Sequence, residues 1–325
     1  MNNSSKKFCS ISLDLDNQWS YMKIHGNKGW ETYPSYFDIF IPHVLNLLKE
    51  LNINITFFVV GQDAAIEENR DLLKEISRNG HEIGNHSFNH ESWLHLYKRE
   101  QIEVEISKAE DVIYQTTGQI TRGFRGPGFS WNPELLVILK QRDYLFDAST
   151  LPTYIGPLAR MYYFMTANLS EEEKKDRSEL FGSFRDGFRP VKSYFWELNS
   201  NEKFLEIPVT TIPGFKTPFH LSYLLYLSRF SMVLMKFYLN FAIMFCKISN
   251  TQPSFLLHPL DLIGGDQITE LAFFPGMDIK SEKKVEVFNL VIKTLIKHYE
   301  LVNMNTHAKH LIENVNLRSR KLNTN

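Results

Sequence analysis

Cysteine is nearly absent. The chain has two, Cys9 and Cys246, far apart and in unlike contexts, so neither a disulfide framework nor a cysteine-based zinc site is expected to organise the fold. An excess of one charge is missing too: 36 Lys and Arg stand against 37 Asp and Glu, for a net charge of -1. That balance argues against nucleic acid as a partner gripped through a basic face. No charge-free apolar run reaches the roughly 18 residues that a membrane span needs, and no internal repeat is visible. The segment Met1–Lys7 is polar and leads straight into a strand-like stretch. Without the apolar centre of a secretory signal, the expected location is cytoplasmic.

What is present is ordinary globular composition, 43% hydrophobic and 22% charged in 325 residues, enough for one α/β domain with decoration. Phe8 to Asp16 alternates apolar and polar and ends in two acids, the pattern of a strand with carboxylates at its C-terminal end. Helical spacing from Ile41 to Leu51 is followed by the apolar run Ile55–Val60, closed by Gly61. The same order recurs through strands expected near 81–85, 124–125, 145–149, 204–207 and 254–258, with helices between, and a last helix precedes Leu301-Val302-Asn303. Such alternation predicts a parallel sheet with helices outside, either a closed barrel or an open doubly wound sheet. Residues 1–313 form the expected domain, with an irregular insertion at 152–250 and a frayed polar tail at 314–325.

Polar residues of catalytic type follow the expected strands. His86-Ser-Phe-Asn-His90 sets two imidazoles four residues apart, so on one helical turn they would face the same way and share a cation. Each could equally be a surface or core histidine. Ser87 stands where a zincin has its Glu, so a hydrolytic base must come from elsewhere. Asp14 and Asp16 are the obvious donors, one to complete a two-His, one-Asp site and its neighbour to take a proton.

The ordered set Asp14-Leu-Asp16, His86 to His90, Arg125-Gly-Pro-Gly-Phe-Ser130 and Leu256-Leu-His258-Pro259 resembles the motif series of the NodB-like polysaccharide deacetylases, carbohydrate esterase family 4. The resemblance spans roughly residues 8 to 150 and resumes near 254 to 302. It implies a distorted (β/α) barrel of about seven parallel strands, carrying an inserted apolar helical segment, with a divalent metal, usually zinc, at its mouth. Asp16, His86 and His90 would be the ligands, Asp14 the base, Arg125 its partner, and His258 the proton donor to the departing amine. A backbone N–H near Gly128 would help hold the oxyanion. The implied reaction removes an acetyl or formyl group from an amino sugar in a polysaccharide or lipid-linked glycan. Spacing the acids as Asp-x-Asp resembles a branch that also includes allantoinase-like hydrolases of non-sugar C–N bonds. A non-catalytic carbohydrate- or lipid-binding barrel is the other reading. Asp147 lies near the place of the family's fourth-motif acid, but Leu151 replaces the usual tryptophan.

Leu221 to Cys246 is dense in Leu, Phe, Tyr and Met, broken by Arg229, Lys236 and Asn240. It reads either as buried helices covering the barrel or as an amphipathic surface that meets a bilayer or a prenyl chain, which would place the protein peripherally at the inner membrane face. Trp19, Trp131 and Tyr154 are placed either to stack on a sugar ring or to pack in the interior.

Overall fold

The structure is a computed structural model describing residues 6–155, 187–199 and 201–322. Ten strands form one sheet: β1 (Phe8–Leu15), β2 (Thr56–Val59), β3 (Glu82–Asn85), β4 (Gly123–Phe124), β5 (Phe146–Asp147), β6 (Tyr194–Glu197), β7 (Lys203–Glu206), β8 (Ser254–Leu257), β9 (Glu300–Val302) and β10 (Ser319–Lys321). Their order is β10-β6-β7-β5-β4-β3-β2-β1-β8, with β9 paired to β1. Every pairing is parallel except β6 with β7. The α/β architecture is as expected, but β8 and β10 do not pair, so the sheet is unclosed. Two segments depart from expectation. β6 lies inside the stretch expected to be irregular, and Ser319–Lys321, expected to fray, pairs with Phe195–Glu197. The charged run from Ser170 to Arg177 lies outside the described residues.

Helices α1 (Gln18–His25), α2 (Phe37–Leu51), α3 (Gly61–Ala65), α4 (Glu67–Arg78), α5 (Arg99–Thr117), α6 (Pro133–Gln141), α7 (Leu221–Phe230), α8 (Met232–Ile248), α9 (Ser281–His298) and α10 (Met304–Asn314) join the strands. The apolar spacing of α2 buries Phe37, Phe40, Ile41, Val44 and Leu48, and α9 buries Val287, Phe288, Val291, Ile292 and Leu295 in the same core. The sequence Asn132-Pro133 begins α6 as expected, the Asn132 side chain accepting from Leu135 N (2.8 Å).

The first strand explains where the site falls. Cys9, Ile11, Leu13 and Leu15 enter the large apolar core, while Ser10, Ser12 and Asp14 alternate with them and are also buried. That second face survives burial because each residue has a polar partner. His307 Nδ1 bonds Ser10 Oγ at 2.9 Å, and Arg125 donates to Ser12 Oγ (2.9 Å) and Asp14 Oδ1 (2.6 Å). At the C-terminal ends of β1, β3, β4 and β8 the chain delivers Asp14, His86, Arg125 and His258 to one place, the end where α/β sheets bind ligands.

Candidate metal centre

Asp16 follows β1 after a three-residue turn in which Asp16 N donates to Asp14 O (2.9 Å). Its Oδ1 lies 2.9 Å from His90 Nε2 and 3.5 Å from His86 Nε2. One ligand atom from each of the three lies within 4.8 Å of the others, and all three residues are buried. The two imidazoles do not share a helical turn, as the spacing suggested. They sit on a loop after β3, with Ser87 and His90 in the left-handed region at φ 60° and 53°. The Glu105 carboxylate holds that loop by accepting from Phe88 N (3.0 Å) and Asn89 N (2.9 Å). The rings meet with centroids 5.1 Å apart.

A cation fits this donor set. His86 donates Nδ1–H to the Arg125 carbonyl (2.6 Å), which leaves the Nε2 lone pair turned toward Asp16. Asp16 Oδ1 has no hydrogen-bond donor among the described residues although it is buried. Lone pairs thus converge on one point at the cavity wall, an arrangement relieved by a positive charge. Burial alone would raise the Asp16 carboxyl, but the His90 and His86 rings outweigh it and hold the group far below the usual carboxylate range. Burial pushes the His86 ring down, and its bond to Asp16 with the charges of Asp14 and Asp16 overcomes that and leaves it raised.

Beside this trio, Asp14 is ion-paired to a fully buried guanidinium. Arg125 also donates Nε–H to the Ala148 carbonyl (3.1 Å) and lies 4.4 Å from the Phe58 ring centroid. Opposite stands His258, whose side chain is 28% exposed, with its Nδ1 3.7 Å from Asp261 Oδ2. Desolvation would lower the His258 ring, but Asp261, Asp14 and Asp16 reverse the sign and carry it up to about 9. Asp14, Asp16, His86, His90, Gly128 and His258 all line one cavity of about 380 Å³. The Arg125 loop reaches it by a tight bend. A Cβ on Gly126 would lie 1.9 Å from the Ser130 carbonyl oxygen, and Gly128 stands at φ 60°.

The sequence model described as Polysaccharide deacetylase matches residues 30–146, a span containing both imidazoles and Arg125. Over that span the chain is similar to the polysaccharide deacetylase family. A peptidoglycan-N-acetylglucosamine deacetylase of Bacillus cereus is 32% identical over 88 residues, 27% of this chain and 31% of that protein. The peptidoglycan-N-acetylmuramic acid deacetylase PdaA of Bacillus subtilis is 36% identical over 84 residues, 26% of this chain and 31% of that protein. The matched segment thus spans about a third of the length of these two relatives. Among solved structures, a Mycobacterium smegmatis protein provisionally described as a polysaccharide deacetylase aligns with TM-score 0.60 at 16% identity, covering 100% of this chain and 97% of that one.

Not every residue singled out in the sequence reaches the cavity. Asp147 is fully buried at the end of β5, where its Oδ1 accepts from Ser149 Oγ (2.6 Å) and it adjoins Glu206. Burial raises both carboxyls, and their mutual repulsion raises Glu206 further. The two carboxyls bond each other within the sheet, and Asp147 is not among the residues that line the cavity. Trp19 is 3% exposed and donates its indole N–H to Asp63 Oδ1 (2.9 Å), edge-on behind His90. Its place is support for the ligand loop. Trp131 packs on Trp196 at 5.0 Å under the Arg189 guanidinium, and Tyr154 packs on Phe188. Each thus has ring neighbours from the fold itself.

The residues that sequence reasoning missed gather around His258. Asp261 accepts from His258 N (2.9 Å) in a short turn opened by Pro259. The signal was there, as His-Pro-x-Asp is a cap followed three residues later by an acid. Ser222, at the start of α7, bonds Asp261 as well. Lys284 from α9 donates to the carbonyls of Leu260 (2.6 Å) and Ile263 (2.7 Å), fixing the turn from below. Desolvation lowers this lysine to about 8. His220 lies with its ring 6.1 Å from that of His258 and is lowered by burial to about 3, so it is neutral.

Proposed function

We propose that the chain hydrolyses the N-acyl group of an acylated amino sugar within a glycan or on a lipid-linked saccharide, releasing acetate or formate and a free amine. The carrying observation is the convergence of Asp16, His86 and His90 on the cavity wall beside the Asp14–Arg125 pair and facing His258. Two imidazoles and one carboxylate are a donor set suited to zinc. A divalent cation held there supplies Lewis-acid polarisation of the acyl carbonyl and acidifies water.

The protein's own groups do the rest. Asp14, kept charged and oriented by Arg125, takes the proton of the attacking water. Attack on the amide carbon forms the new C–O bond, and the C–N bond breaks as His258 gives its proton to the departing nitrogen. Gly128 lines the same wall, where its backbone N–H can serve the developing oxyanion. The relatives named for peptidoglycan and chitooligosaccharide substrates support a sugar amide over other C–N bonds.

The test is release of acetate or formate by the zinc-loaded full chain from N-acetylated chitooligosaccharides, peptidoglycan fragments and N-formyl amino sugars. Turnover is expected on at least one, lost with chelator and regained with zinc. Zinc-loaded protein inert on the whole panel overturns the reading.

A pH effect follows from Asp261. His258 acts as an acid, so its contribution is present below its pKa and lost as pH rises through it. Asp261→Asn removes the charge that most raises this ring, and the alkaline limb of kcat is expected to move down by about one to two pH units. An unmoved limb would assign the proton donor to another group.

A further inference from the structure

The two helices Leu221–Phe230 and Met232–Ile248 bury one face and expose another that is apolar. Met235, Leu239, Ala242, Ile243 and Cys246 of α8 enter the core. On its outer side Val233 is 76% exposed, Phe237 68%, Met244 46% and Ile248 72%. Those positions, with half-buried Phe241 between them, advance by three or four residues and so form one continuous stripe. Phe215, also exposed, packs on Phe241 (5.3 Å) and Phe245 (5.1 Å), widening the stripe into an aromatic surface. On α7, Phe230 and Tyr226 are 68% and 58% exposed with ring centroids 5.3 Å apart. Tyr226 and Leu225 also line the cavity that holds the metal site. An outer face of this kind on a soluble helix ordinarily carries polar residues.

Charge supplies the second observation. The chain as a whole balances 37 acids against 36 cations, yet from Ile207 to Leu260 it has no Asp or Glu while it keeps Lys216, Arg229, Lys236 and Lys247. Arg229 is neutralised by Asp278 (2.6 Å) and Lys216 caps two backbone carbonyls. Lys236 and Lys247 are exposed beside the stripe, Lys247 with the His298 ring at 2.9 Å. No helix among the described residues is long and apolar enough to cross a membrane. An apolar stripe flanked by lysines, with acids excluded, matches an anionic bilayer surface better than a protein partner, which would demand polar counterparts.

We propose that the outer face of α7 and α8 docks on a bilayer bearing anionic headgroups. Val233, Phe237, Met244 and Ile248 enter the acyl boundary, the two lysines meet the headgroups, and the cavity mouth beside Tyr226 is held at the lipid surface. The inference does not depend on the chemistry assigned to the cavity, and its test reads binding alone.

The full chain is floated with vesicles of phosphatidylcholine, or of phosphatidylcholine mixed with phosphatidylglycerol. Binding to the mixed vesicles is expected, at least about tenfold stronger than to phosphatidylcholine alone. Val233→Ser with Phe237→Ser and Met244→Ser is expected to weaken it at least about tenfold, since these are exposed apolar side chains of the stripe. Phe237→Trp guards against misfolding of that variant: its emission should shift to the blue on addition of mixed vesicles. Absence of flotation, flotation unchanged by the triple substitution, or an unshifted tryptophan each overturns the proposal. So does a dimer in solution that the triple substitution dissolves, which would make a second copy of this chain the occupant.

Discussion

Asp16→Ala is expected to lose the bound cation and to bring turnover down by about 10³-fold or more. Asp16 supplies the sole carboxylate of the trio and the contact nearest the midpoint of the site, 2.9 Å from His90 and 3.5 Å from His86. The two imidazoles that remain hold zinc far more weakly than a three-ligand site. Stability of the metal-free chain should fall as well. The His90 and His86 rings outweigh the cost of burying the Asp16 charge, so the alanine variant is expected to melt below metal-free wild type at neutral pH, and zinc no longer raises its Tm. Metal content by mass spectrometry, with melting measured with and without zinc, reads both effects. Stoichiometric zinc in the variant would show that the ligands lie elsewhere.

Asp14→Asn separates acid–base chemistry from metal retention. Asparagine keeps an oxygen that can accept from Arg125 but cannot take a proton from water at neutral pH, so kcat should fall by about 10² to 10⁴-fold with zinc content unchanged. Because Arg125 is fully buried, removing its charged partner also leaves an uncompensated guanidinium, at a cost of about 3 to 5 kcal/mol. Kinetics are therefore to be read below the lowered melting transition. An Asp14→Asn enzyme that retained full turnover would remove the base assignment and leave the metal site standing.

The sequence carried the frame of this site because its chemistry sits at strand ends, where the switch from apolar alternation to acids or histidines is visible. Asp14 near the end of Phe8–Leu15, Asp16 just after it, and Arg125 after Phe124 are legible in that way. What could not be read was conformation within loops. The four-residue spacing of His86 and His90 suggested a helical turn, but the chain instead adopts left-handed residues stabilised by Glu105, a partner from a distant helix that no local pattern announces. Tryptophans near motif residues proved harder still. Trp19 and Trp131 have the composition of sugar platforms, and only their bonds to Asp63 and contact with Trp196 show them to be packed. The surroundings of Asp147 could not be read either, since its buried neighbour Glu206 lies far along the chain.

The C-terminal helix carries a consequence for how the protein is made. The three candidate cation ligands lie between residues 16 and 90, whereas Arg125, the partner of Asp14, touches Met304 Sδ (3.7 Å), and Met304 N donates to Thr56 Oγ1 (2.7 Å). A ribosome adds residues from the N-terminus at a finite pace. The candidate ligand residues are therefore made about 200 residues before the helix Met304–Asn314, and the socket around Arg125 closes only once that helix is in place.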